Sequence, residues 1–315
     1  MVCPQNAKEI VNETEKAKVL IQSGDPVYVS LAPSFIANYN GVGIGAMRKA
    51  LQALGFCDVE ETAIGATIVK REYERILAQE ERAIGATMVK TEYERLISEE
   101  KRDVIISSCC HSINLLIQKY FPKELEYLAD VLSPMQAHCR DIKKRHPEAK
   151  TVFIGPCVAK KDEAAYYGDI VDAVLTFEEL MGLFEAKAVN FADLSDNPED
   201  AFNSASADAR GFAASGGVAQ AVVNAIKKMD PDREVKVMSA QGLADCKKMM
   251  MMAKAGKYNG YLLEGMACPG GCIAGAGTLA DPAKSVAMLN KYKSEATMKV
   301  ATETPYQDSL DLLHY

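Results

Sequence analysis

At 315 residues, 48% hydrophobic and 25% charged, the chain is long enough to bury a large core, in one domain or in two lobes. A net charge of −7 argues against nucleic acid and anionic membrane as partners, and no apolar run reaches the roughly 18–20 residues of a membrane span. Nine cysteines, with no cationic and apolar leader ahead of them, fit a reducing cytoplasm and metal ligation better than a disulfide framework.

Val27–Leu31 reads as the first strand, from its β-branched and aromatic content, and ends in the loop Ala32-Pro33-Ser34. Gly41–Phe56 reads as a helix that Gly55 terminates, and Asp58–Thr62 as a short strand. Residues 63–82 and 83–102 then form a gapless tandem repeat, identical at 13 of 20 positions, with AIGAT and EYER in both copies. Two units are too few for a solenoid, so the repeat predicts two consecutive helices, one of them surplus and on the surface. Strands follow at Thr151–Ile154, Asp172–Leu175, Glu234–Ser239 and Tyr261–Glu264, with a helix at Phe177–Phe184. This alternation predicts an α/β fold: two lobes of mixed or parallel sheet flanked by helices, with sites at strand C-terminal ends.

Three cysteine motifs fall at such ends. They are Ser107-Ser108-Cys109-Cys110-His111, Pro156-Cys157-Val158-Ala159-Lys160-Lys161-Asp162-Glu163 and Met266-Ala267-Cys268-Pro269-Gly270-Gly271-Cys272. Small residues and prolines beside the cysteines let backbone approach sulfur. Cys110, Cys157, Cys268 and Cys272 make one complete four-thiolate set. Structural zinc is the plain alternative, but it usually shows paired CxxC knuckles, which this chain lacks. Lys160 and Glu163, three apart, are spaced to pair on a helix turn. Cys57 and Cys246 read as structural, Cys139 as a candidate for the site entrance, and Met249–Met252 as core and helix face.

These motifs, in this order, resemble the signatures TSCCP, PCxxKxxE and MACPGGC of the [FeFe], or iron-only, hydrogenases. The resemblance runs from about residue 27 to the C-terminus. It implies a [4Fe–4S] cubane on Cys110, Cys157, Cys268 and Cys272. Cys272 would bridge the cubane to a two-iron subsite carrying CO, cyanide and an azadithiolate. Without maturation proteins only the cubane would load. Cys109 would be the last proton donor, Lys160 would hold a cyanide, and Met266 would pack beside the bridging CO. Ala32, Pro33, Ser34 and Pro156 would line the cofactor. The implied reaction interconverts H2 with protons and electrons, with a ferredoxin or another electron-transfer module as partner. Cys3-Pro4 resembles the end of a ferredoxin cluster motif, so residues 1–26 are expected to be a module remnant or a linker. The two cluster lobes are expected at 27–150 and 151–315.

The match departs from the family at several points. His111 replaces a Pro, Gly155 a Met, and Met135 a Gln. Ala274–Thr278 loosens a Gly-rich stretch. Arg95 stands where the second glutamate of a proton path is expected after Glu92, and a cation there opposes proton passage. These changes resemble the sensory, slow branch of the family. A cluster-assembly scaffold or electron carrier of the same superfamily is the alternative.

Overall fold

A computed structural model describes residues 10–39, 41–70, 72–73, 104–196, 205–229, 231–232 and 234–299. Two parallel sheets form its centre. Sheet A has the order β2-β1-β4-β5, from β1 Val27–Leu31, β2 Asp58–Glu61, β4 Lys150–Ile154 and β5 Ala173–Leu175. Sheet B has the order β3-β7-β6, from β3 Val104–Ile106, β6 Lys236–Gln241 and β7 Tyr261–Met266. All paired strands run parallel. Parallel pairs need long crossovers, and helices supply them.

The expected elements are present with small shifts at their ends. The helix expected over Gly41–Phe56 is α3, Ile44–Leu54, stopped by Gly55 at φ 108 in the left-handed region. There the Gly55 N–H bonds back to the Gln52 carbonyl. The strand expected over Glu234–Ser239 begins at Lys236 and runs on to Gln241. Helix α8, Phe177–Ala186, begins with a capping box between Thr176 and Glu179.

One expectation of organisation changes. Each sheet takes strands from both sides of residue 150, so the lobes are not the segments 27–150 and 151–315. The cause is the parallel crossover, which returns β4 beside β1 and β7 beside β3. Helix α1, Thr14–Gln22, docks on the edge of sheet A, where the Val174 N–H donates to the Glu13 carboxylate at 2.6 Å. Glu13 thereby satisfies an edge-strand donor that would otherwise need solvent. Cys3 lies outside the described residues.

The first repeat copy forms α4, helical over 63–70 and buried along its described length. Ala63, Ile64, Ala66, Ile68, Val69 and Tyr73 join the core beneath sheet B. The second copy, with Glu92 and Arg95, lies outside the described residues.

Candidate metal centre

Every motif sits where a strand ends, one on sheet A and two on sheet B. β3 delivers Ser107–Cys110, and α5 (His111–Tyr120) starts on the next residue. β4 delivers Pro156 and Cys157, followed by α7 (Ala159–Tyr167). β7 ends at Met266, and its loop carries Cys268 and Cys272. Gly271 makes that loop possible. Its φ is +91, and a Cβ would lie 2.5 Å from the Ser215 nitrogen and 2.8 Å from the Ala214 carbonyl carbon. The supposedly loose Ala274–Thr278 stretch is tightly seated instead. A Cβ on Gly275 would meet the Pro156 carbonyl at 2.4 Å, and the Gly277 N–H bonds that same oxygen at 2.8 Å.

The motifs line a cavity that is partly open to solvent. Ala32, Pro33, Ser34, Cys109, Pro156, Cys157, Lys160, Met266 and Cys272, each singled out from sequence, all line it. So does Met135, which stands where the resemblance expects a wall residue, and so do Thr62, Phe153, Phe212 and Val218, which sequence reasoning had not assigned to a cavity wall. Cys110 and Cys268 are half-buried outside that lining. Glu163 is also outside it, buried behind Lys160, which it meets at 2.5 Å, and it accepts a further bond from Ser133 Oγ. Cys139 is fully buried in the sheet A core and not at an entrance.

The four candidate thiols form one electrostatic neighbourhood. Burial raises the Cys157 thiol to about 11, with Cys110 and Cys268 adding repulsion against a partly opposing Lys160. Burial, then Cys157, Cys110 and Cys268, raise Cys272 in the same way. Burial and Cys110 raise Cys268. A cation among them lowers that cost, as iron would. Among the described residues, no three His, Cys, Asp or Glu side chains converge tightly enough for a single metal ion.

The ammonium of Lys160 is held charged. Burial works against it, but Glu163 and the cysteines outweigh burial and raise its pKa. Its Nζ also lies 3.5 Å from the Cys109 carbonyl oxygen. Ser34 Oγ, buried in the wall, has no hydrogen-bond partner among the described residues. A charged donor and an unsatisfied hydroxyl on one cavity suit a ligand bearing small anionic acceptors.

Cys109, the proton donor that the resemblance implies, is a buried thiol. Burial raises it to about 11, although Ser107 and Lys160 oppose, so it rests protonated. Tyr73 Oη lies 4.0 Å from its sulfur, 3.1 Å from Ser108 Oγ, and accepts from the Ser108 N–H at 2.8 Å. A tyrosine of the first copy therefore stands at the Cys109 thiol. The glutamate expected to lead the proton path, Glu92 of the second copy, lies outside the described residues.

The other departures have local explanations. His111 neither caps α5 nor faces the cavity; its Nε2 meets Asp162 Oδ2 at 2.8 Å and ties the first-motif helix to the second. A Cβ on Gly155 would lie 2.6 Å from the Phe153 ring, so Phe153 occupies the space a side chain at 155 would need. Buried Met135 lines the wall. Glu264 on β7 accepts from Gly216 N and Ala219 N at 2.8 Å each, and burial, outweighing those donors, raises it to about 7.

Comparison with known proteins agrees with this arrangement. A profile of the C-terminal domain of the iron only hydrogenase large subunit matches residues 25–276. The chain is 28% identical over 304 residues to the periplasmic [Fe] hydrogenase large subunit of Nitratidesulfovibrio vulgaris, covering 83% of this chain and 69% of that protein. It is 25% identical to iron hydrogenase 1 of Clostridium pasteurianum over 86% of this chain, and spans only 51% of that protein. Protein NAR1 of Arabidopsis thaliana is 26% identical over 56% of this chain and 48% of its own length. The fold matches [FeFe]-hydrogenase HydA1 of Chlamydomonas reinhardtii with a TM-score of 0.72 at 20% identity, covering 96% of this chain and 98% of that one. The profile spans well over half the chain, on the three motifs that enclose the cavity, and the chain belongs to the family of C-terminal domains found in iron-only hydrogenase large subunits.

Proposed function

We propose that the chain is a slow [FeFe] hydrogenase with a hydrogen-sensing role, interconverting H2 with protons and electrons. One observation carries the reading: beside Cys157 and Cys272 lies a cavity walled by Lys160, Ser34 and Cys109. A chain that only held or carried a cubane would need no such space.

In this reading Cys110, Cys157, Cys268 and Cys272 hold a [4Fe–4S] cluster, with Cys272 also facing a two-iron subsite in the cavity. When bound, that group supplies the redox and hydrogen-activating chemistry, which no side chain here provides. Lys160, kept charged by Glu163, and Ser34 Oγ orient its anionic ligands. Ala32, Pro33, Pro156, Met266 and Phe153 exclude water. Cys109 holds a proton at its sulfur and passes it across the cavity. Slow turnover follows from its neighbour. Burial raises Tyr73 well above the usual tyrosine range, so its hydroxyl relays a proton only in concert with the serine hydroxyls it meets, Ser107 and Ser108. A carboxylate could store one. Electrons arrive from a ferredoxin or another electron-transfer module, maturation proteins supply the two-iron unit, and the chain works in the cytoplasm.

The match to protein NAR1 favours a second reading, a non-hydrogenase iron–sulfur relative. Isotope exchange separates the two. Anaerobically matured protein under H2 in D2O should release HD and D2, at a low rate. A chain holding four irons and giving no exchange after maturation would support the second reading.

A further inference from the structure

A buried chain of polar groups lies on sheet A and runs away from the motif cysteines. Ser30 on β1 and Glu60 on β2 are register partners, so their side chains share one face. Helix α6, Pro134–Arg145, packs on β1 and places His138 and Arg145, two turns apart, over that face. Ser30 Oγ lies 2.8 Å from Thr62 Oγ1 and 2.8 Å from His138 Nδ1. His138 Nε2 lies 3.2 Å from Glu60 Oε2. Arg145 clasps both Glu60 oxygens, at 3.0 and 2.7 Å, and bonds Asp141 at 2.8 Å.

A serine, a histidine and a carboxylate in line resemble a hydrolase triad, but Ser30 and His138 are 0% exposed and no acyl substrate reaches them. The two ends are what matter. Thr62 lines the cluster cavity, while the Arg145 side chain is 32% exposed. Each contact between them is within hydrogen-bond reach, as a proton path requires.

We propose that Thr62, Ser30, His138 and Glu60 form a proton relay between the cluster cavity and the Arg145 surface, a second route beside Cys109. The inference rests on the hydrogenase reading. The Glu60 carboxylate only accepts, so it selects the imidazole tautomer with hydrogen on Nε2, and Nδ1 accepts from Ser30. Outward, a cavity proton joins Thr62 Oγ1 as the Thr62 hydrogen passes to Ser30. The Ser30 hydrogen passes to Nδ1, and the Nε2 hydrogen leaves to Glu60 and then to water beside Arg145. One proton enters, one leaves, and no electron moves. The reverse sequence carries a proton inward and restores the starting tautomer. Arg145, Asp141, Tyr28 and Cys139 are titratable groups around the path. Burial raises the Cys139 thiol to about 12, so it keeps its hydrogen.

Two measurements test the relay on the full chain. In [15N]histidine-labelled protein, the His138 ring proton should exchange rapidly with water. Its lifetime should lengthen roughly tenfold in Glu60→Gln, whose amide cannot take up a proton, and recover in Glu60→Asp. In matured protein, Thr62→Val should slow H2–D2O exchange by roughly tenfold with the cofactor infrared bands unchanged, and Thr62→Ser should restore it. If Thr62→Val fails to fold, Ser30→Ala makes the same break. A His138 lifetime indifferent to Glu60→Gln, or wild-type exchange in Thr62→Val, overturns the relay. If matured wild-type protein exchanges no isotope, the hydrogenase reading falls, and the His138 lifetime alone decides whether the path conducts.

Discussion

Replacing Gly271 with alanine should damage the metal centre by a calculable amount. Gly271 sits between Cys268 and Cys272 at φ +91, and its Cβ would press into the Ser215 nitrogen at 2.5 Å and the Ala214 carbon at 2.8 Å. The positive φ costs an alanine about 1–2 kcal/mol. Overpacking against backbone, which cannot swing aside, costs about 1–3 kcal/mol more. The sum is about 2–5 kcal/mol, large against the stability of an ordinary domain. Gly270 is the internal control. Its φ is +93, but the nearest atom to its Cβ is the Ala274 methyl at 3.6 Å. Gly270→Ala should therefore cost only the backbone part, about 1–2 kcal/mol. Urea unfolding of the metal-free chain measures both, and iron per chain after anaerobic reconstitution measures the consequence. Gly271→Ala should be the less stable and should bind less iron. Equal destabilisation by the two substitutions would refute the close approach of this loop to Ala214–Ser215.

Cys157→Ala and Cys268→Ala should each lose most of the iron, whereas Cys109→Ala should keep it and lose isotope exchange; iron assay and mass spectrometry of HD separate the roles. Two carboxylates should give the metal-free chain opposite pH dependences. Glu60 is lowered from 4.5 to about 2, because His138 and Arg145 outweigh its burial. Its contribution, about 3 kcal/mol, is complete above pH ~4.5 and is lost as pH falls through about 2. Glu264 is raised from 4.5 to about 7 by burial, so its contribution is complete below pH ~4.5 and fades as pH rises through about 7. Urea midpoints against pH should lose the lower slope in Glu60→Gln and the upper slope in Glu264→Gln. Gly155→Met should clash with Phe153 and lower stability by about 1–3 kcal/mol, and the double change with Phe153→Ala should recover part of it, as thermal unfolding would record.

The strands were legible where the chemistry is local. Val27–Leu31 and Thr151–Ile154 carry β-branched runs, and Gly55 marks a helix end by the conformation it alone adopts easily. The cavity wall was legible because motif residues are contiguous with strand ends. Sheet order was not: β3 pairs with β7 across more than 150 residues, and nothing in either segment names its partner. Helix α6 was missed although Ser133 and Pro134 mark its start, the Ser133 hydroxyl accepting from the Gln136 N–H. With α6 went His138 and the polar chain on sheet A, since Glu60, Ser30 and His138 meet only in the folded sheet. The repeat could not be resolved from sequence, because both copies carry EYER. Only packing places Tyr73 of the first copy against Ser108.

Infrared spectroscopy on anaerobically matured protein, with iron counted on the same sample, tests the cofactor assignment most directly, because CO and cyanide absorb where protein does not. The cavity beside Cys157 and Cys272 and the Lys160 ammonium lead to CO and cyanide bands, with iron beyond the four of a cubane. Lys160→Met should weaken or shift the cyanide bands and leave the iron of the cubane in place. Four irons with no such bands, after a maturation that loads a hydrogenase control, would contradict the hydrogenase reading and leave the chain an iron–sulfur scaffold or carrier.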